Sequence, residues 1–268
     1  MQTLLTCVFE QLLFSIGAIG GMGFLIAWLN RRFYGIPGMN SARVCLVTGA
    51  IGTPIHELGH AFFCVVFGHR IVEIKLFRPN AGDGTLGYVS HTWNHKSFYQ
   101  SVGNFFIGVG PILFGSGVLS VLMWLLAPET FRAFAANLDS LTASTAGSLL
   151  AGLPVFVISV FADFFSPGNW LRPLWWIYTI LACFIALHVN LSKPDIEHAK
   201  PGALLLAGVI VVPNFVLAIA GDGALLGYHR AFVTASLFVT GIMLLCAMFS
   251  IIAIGAALLA VKIGKRLR

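Results

Sequence analysis

Three residues on one short stretch are of types that hold a metal ion and use it: His56, Glu57 and His60, within Thr53-Pro-Ile-His-Glu-Leu-Gly-His-Ala61. On a helix, His56 and His60 stand one turn apart on one face, so both imidazoles reach the same ion. Zn2+ suits neutral imidazole, and hydrolytic zinc sites keep a position open for a water whose pKa falls to about 7. Glu57 is adjacent and angled to take that water's proton as general base, then to return it to a leaving amine. The pattern predicts a zinc metallopeptidase with His56 and His60 as ligands and Glu57 as catalytic residue.

The elements that must position these residues lie in lipid. Of 268 residues, 58% are AVILMFWYC and only 10% are DEKR, and the mean hydropathy is +0.90. A soluble domain of this size needs about a quarter of its residues charged. The chain therefore reads as an all-α polytopic membrane protein, with the bilayer as its main partner. The same arithmetic excludes intrinsic disorder and a disulfide-stapled secreted fold. Cys7, Cys45, Cys64, Cys183 and Cys246 occur singly in apolar stretches and read as small buried hydrophobes. No basic run is interleaved with exposed aromatics, so no nucleic-acid partner is expected. The first apolar run lacks a basic leader and is long enough to remain as a span.

About six transmembrane helices are expected: Leu4–Leu29, Val44–Phe67, Phe98–Ala127, Leu174–Leu191, Gly202–Gly221 and Ala231–Val261. Between the second and third, Ile71–Phe77 and Leu86–His91 flank Asn80-Ala-Gly-Asp-Gly84 and predict a short β-hairpin at the membrane surface. Leu141–Phe165 carries Pro154 and many Ser, Thr and Gly residues; it either spans or is re-entrant. Placing the tail Lys262, Lys265, Arg266 and Arg268 in the cytoplasm, with Leu141–Phe165 not spanning, puts the hairpin and the Lys193–Lys200 loop inside as well. The metal site would then face the cytoplasmic side of what is expected to be a bacterial cytoplasmic membrane. Glu10 reads as a snorkelling carboxylate, His91 and His95 as interfacial residues, and Gly49, Gly52 and Gly59 as points of close helix packing.

An HELGH inside a transmembrane helix resembles the site-2 protease family of intramembrane zinc metalloproteases. The likeness covers about residues 43 to 198. It includes the β segment His69–Lys96, a Gly-Pro pair in the next span at Gly110-Pro111, and His188-Val-Asn-Leu-Ser-Lys-Pro-Asp195 after the fourth span. Asn190 and Asp195 stand closer together than in the family, Ile196 replaces its Gly, and Ile112-Leu-Phe-Gly115 lacks the Asn usual after Gly-Pro. The resemblance implies a three-helix catalytic core at 43–200, with 1–42 an extra first span and 201–268 two added spans and a basic tail, all in one domain. It implies Asp195 as third ligand, Asn190 as a substrate-binding residue, and cleavage of a peptide bond in or near a transmembrane segment of a membrane-protein substrate.

Among Asp83, Asp139, Asp163, Asp195 and Asp222, parity leaves two choices. If Leu141–Phe165 does not span, the fourth span delivers Asp195 to the metal; if it spans, Asp163 arrives there instead and the basic tail is expelled. Two other functions are alternatives: a metallopeptidase for soluble or lipidated peptides, whose usual glutamate ligand has only Glu73, Glu129 and Glu197 to draw on, none in a helical context that suits it, and a non-catalytic metal-binding or transport protein. His188 is expected to pack between helices. The outer edge of Ile71–Phe77 is expected to pair with an unfolded substrate strand.

Overall fold

The computed structural model describes residues 2–80, 82, 84–142 and 146–266. Ala81 and Asp83 of the expected hairpin turn, residues 143–145 of the Leu141–Phe165 segment, and Arg268 of the basic tail lie outside the described residues. In chain order the elements are α1 (Gln2–Tyr34), α2 (Ser41–Val66), β1 (Arg70–Lys75), β2 (Tyr88–Thr92), α3 (Phe98–Leu126), α4 (Pro128–Thr142), α5 (Ala146–Phe164), α6 (Pro173–Ala186), α7 (Lys193–Ala220) and α8 (Asp222–Arg266). The single turn Pro167–Trp170 precedes α6. The molecule is a helical membrane protein with one small sheet.

Among the described residues, four helices are long and apolar enough to cross a membrane: α1, α3, α7 and α8. The motif helix α2 is not among them, because His56, Glu57 and His60 make its centre polar. At 26 residues it is nonetheless about 39 Å long, against a hydrocarbon core of about 30 Å. The expected fourth span is shorter than its apolar run. Helix α6 has 14 residues, about 21 Å, and ends at Ala186. There the Asn30 side chain donates to the Ala186 carbonyl at 2.9 Å, and Ser250 Oγ donates to Asn30 Oδ1 at 2.9 Å. This caps a helix end that has no water to turn to. Residues 187–192 then run without helical structure, with Leu187 and Val189 buried.

The expected Lys193–Lys200 loop is the opening of α7. Ser192 Oγ accepts from the Asp195 amide at 3.3 Å, and the Asp195 carboxylate accepts from the Ser192 amide at 2.8 Å, a reciprocal capping box with Pro194 in the first turn. The boundary expected at residue 200 therefore falls inside a helix. Leu141–Phe165 divides between the end of α4 and α5. Glu129 at the start of α4 pairs with Arg172 just before α6, so the α4–α5 hairpin begins and ends beside the C-terminal end of α3.

Val261 and Lys265 of α8 pack beside Gly38 in the α1–α2 turn, while the β-hairpin follows the opposite end of α2. The hairpin and the basic tail thus lie at opposite ends of the bundle. This corrects the expectation that both face the cytoplasm, and the Lys and Arg asymmetry no longer assigns the site to the cytoplasmic side. Glu10 is likewise not a lone snorkelling carboxylate: its Oε2 is 3.0 Å from His229 Nε2 on α8, beside a reciprocal Gln11–Asn214 amide pair.

The core forms where α8 crosses α3 and α6. Phe249 meets Tyr178 and Phe164 edge-on, both at 5.3 Å between ring centroids, over Leu119, Met123 and Ala182. The outer surface is studded with exposed large apolar side chains, among them Phe24, Val47, Trp124, Leu204 and Ile219, which suits lipid rather than water. The five cysteines are free, and Cys7, Cys64 and Cys246 are buried.

Candidate metal centre

Helix α2 presents the motif to two neighbours at very short range. A Cβ at Gly59 would stand 2.8 Å from Pro111 Cα and 2.9 Å from the Gly110 carbonyl oxygen; one at Gly52 would stand 2.5 Å from the Phe184 carbonyl oxygen. Only hydrogen fits at either point. Across α3, a Cβ at Gly108 would meet the Asp195 carbonyl oxygen at 2.5 Å, and one at Gly202 would meet the Phe105 amide at 2.4 Å. Helix α3 is therefore the spine against which α2 and the start of α7 are both pressed. Val189 packs on Gly115, Asp195 on Gly108 and Gly202 on Phe105, so this stretch descends along α3 towards its N-terminal end.

This packing brings His56, His60 and Asp195 together, with one ligand atom from each lying within 4.8 Å of the others. The two Nε2 atoms are 3.2 Å apart, and His60 Nε2 is 3.3 Å from Asp195 Oδ1. His56 Nε2 is 4.0 Å from Asp195 Oδ2. Around a tetrahedral zinc, with ligand bonds near 2.0–2.2 Å, neighbouring donor atoms stand about 3.3 Å apart. The two separations from His60 meet that figure, and the one between His56 and Asp195 is wider. All three side chains are 12–14% exposed, leaving room for an open position.

The rings are held in the tautomer that ligation needs. His56 Nδ1 donates to the His188 carbonyl at 2.9 Å, and His60 Nδ1 donates to the Ile107 carbonyl at 2.7 Å, which leaves both Nε2 lone pairs facing Asp195. The acceptor at Ile107 has a local cause. Pro111 lacks the amide hydrogen that would bond the carbonyl four residues back, so the Ile107 oxygen is free for His60. The Gly-Pro pair thus does two things: Gly110 lets α2 approach, and Pro111 releases the carbonyl that orients a ligand. Asp195 is oriented by its capping box, with Oδ2 held by Ser192.

Glu57 is 5% exposed. The chain entering β2 roofs it, since a Cβ at Gly87 would stand 2.8 Å from Glu57 Cγ and 2.9 Å from Thr53 Cγ2. Asn190 is half-buried in the non-helical stretch between His188 and Asp195. Among the described residues, its side chain makes no hydrogen bond. His188 packs between α1 and α2, with Nε2 2.8 Å from Thr48 Oγ1 and 3.3 Å from the Tyr34 hydroxyl. Asp163 belongs elsewhere; its Oδ2 accepts from Asn137 at 2.8 Å. The hairpin pairs antiparallel from Arg70↔Thr92 to Lys75↔Tyr88, with a bulge between Ile71 and Glu73, and most of β1 is exposed.

Sequence reasoning missed the carbonyls of His188 and Ile107 and the roof at Gly87. The proline at 111 was a readable signal for Ile107, whereas nothing local marks Gly87. Comparisons with protein-family models, curated proteins and solved structures find no match.

Proposed function

We propose that this chain is an intramembrane zinc metallopeptidase of the site-2 protease type, hydrolysing a peptide bond in or near a transmembrane segment of a membrane-protein substrate. One observation carries the reading: two HExxH imidazoles and Asp195 converge with zinc-like donor spacing beside a buried Glu57, inside an apolar helical protein. A bundle with no catalytic or binding task has little reason to bury this constellation.

On this reading α2 crosses the bilayer with the four long helices, its polar face turned to α3 and α7. Helix α6 is too short to cross alone and joins a crossing through residues 187–192 and α7. Irregular backbone is tolerated at that depth because protein covers it. His56, His60 and Asp195 would hold Zn2+. When bound, the ion supplies Lewis acidity, polarising the scissile carbonyl and bringing water's pKa near 7. Glu57 takes the proton from the attacking water and delivers it to the leaving amine nitrogen. Asn190, on non-helical chain between two site residues, binds the extended substrate backbone. The outer edge of β1 pairs with the substrate once its helix end unwinds.

The test is Glu57→Gln in a cleavage assay with transmembrane substrates in proteoliposomes. Relative to wild type, cleavage by the variant should fall by about 10²–10⁴-fold while the metal content stays unchanged. Undiminished turnover would rule out Glu57 as the base.

A further inference from the structure

A second group of histidines gathers where the hairpin meets α7. His69 follows α2, His91 lies on β2, and His198 stands one turn beyond Asp195 on α7. The His69 and His91 Nδ1 atoms face one another at 3.1 Å. Their ring centroids are 5.1 Å apart, and those of His91 and His198 are 5.0 Å apart. The ligand pair His56 and His60 shows the same separation, 5.0 Å. Two imidazoles on one tetrahedral ion should show about this value, given metal–nitrogen bonds near 2.0–2.1 Å.

The surroundings favour a ligand over a packing role. His69 Nε2 donates to the Gln100 carbonyl at 2.9 Å, which leaves its Nδ1 as a lone pair aimed at His91. His198 Nε2 is buried and has no hydrogen-bond partner, an unmade bond that costs free energy unless something fills it. Trp93 covers the group, stacking on His69 at 5.7 Å and meeting His198 edge-on at 5.1 Å.

We propose that His69, His91 and His198 form a second site for a divalent transition-metal ion, separate from the HExxH centre. With imidazole donors and no carboxylate or thiolate, the site suits Zn2+, Cu2+, Ni2+ or Co2+ rather than Mg2+ or Ca2+. His69 and His91 are already converged; His198 meets His91 edge to face and completes the set by turning its ring inward. The three ligands come from the end of α2, from β2 and from α7. Occupancy therefore ties the hairpin to the helix that carries Asp195, fixing the strand edge relative to the catalytic centre.

The test is equilibrium dialysis of the full-length protein in detergent against micromolar Zn2+, with metal counted per chain. Wild type should bind two equivalents, and His56→Ala/His60→Ala should keep one. Adding His91→Ala or, separately, His198→Gln to that double variant should bring binding to zero while the protein remains monodisperse. His91→Ala alone should bind one. If the HExxH centre held no metal, wild type would instead bind one equivalent, lost with His91→Ala but not with His60→Ala, and the second site would stand. A single wild-type equivalent that His60→Ala removes and His91→Ala retains would overturn the proposal. So would an empty His56→Ala/His60→Ala variant.

Discussion

Adding one methyl group at Gly59 should weaken metal binding without touching a ligand. A Cβ there would stand 2.8 Å from Pro111 Cα and 2.9 Å from the Gly110 carbonyl oxygen. Both obstacles are backbone, so α2 and α3 must part by about 0.6 Å to restore ordinary van der Waals separation. His60 rides on α2, and the carbonyl that orients it, Ile107, rides on α3 at 2.7 Å. The same displacement stretches this bond to about 3.3 Å, past the usual range. It also moves a ligand by more than the roughly 0.2 Å that zinc coordination tolerates. Losing such an orienting bond typically costs 10–100-fold in metal affinity. Gly59→Ala should therefore raise the zinc dissociation constant by about that factor, measured by competition with a chromophoric chelator in detergent. Gly117→Ala is the control, because a Cβ there meets nothing within 4 Å. If Gly59→Ala remained folded and bound zinc as tightly as Gly117→Ala, close approach at Gly59 would not be what sets His60.

Other consequences can be checked alongside. Gly87→Ala would push on Glu57 Cγ, 2.8 Å away, and should lower turnover at least tenfold while zinc affinity holds; equal loss of both would place Gly87 in the fold rather than over the base. Ile74→Pro on the exposed strand β1 removes one strand amide and should slow cleavage with metal content intact, whereas unchanged turnover would sink strand pairing with substrate. Because the hairpin and the α8 tail lie at opposite ends of α2, Lys96→Cys and Lys265→Cys should react with a membrane-impermeant thiol reagent from opposite faces of sealed vesicles. Labelling from one face would contradict the arrangement of α2 and α8.

The parts of the site that depend on local pattern were legible, and those that depend on which helices meet were not. HELGH declared its helix and its face, and the two β-prone runs declared a hairpin. Ser192-Lys-Pro-Asp195 carried the signature of a helix start, a capping box with proline in the first turn. Apolar run length outweighed it, and the segment was read as a loop after a long fourth span. Asp195 accordingly reaches His56 and His60 from the opening turn of α7, beside Gly108, and not from the end of a preceding span. Span parity leaves Asp195 and Asp163 open, and the structure brings Asp195 to the histidines. The expected topology fails at Gly38, where the α8 tail packs. Long-range pairs such as Glu10 with His229 leave no local trace, since each residue alone looks like an isolated polar group in an apolar run.

The central claim is that His56, His60 and Asp195 hold one metal ion. The most direct measurement compares zinc per chain in wild type, His60→Ala, Asp195→Ala and Asp163→Ala, each purified in detergent and confirmed monodisperse. The site described above predicts the loss of one equivalent in His60→Ala and Asp195→Ala, and none in Asp163→Ala, whose carboxylate is held by Asn137. Zinc retained in Asp195→Ala but lost in Asp163→Ala, or the same zinc content in all four proteins, would contradict it.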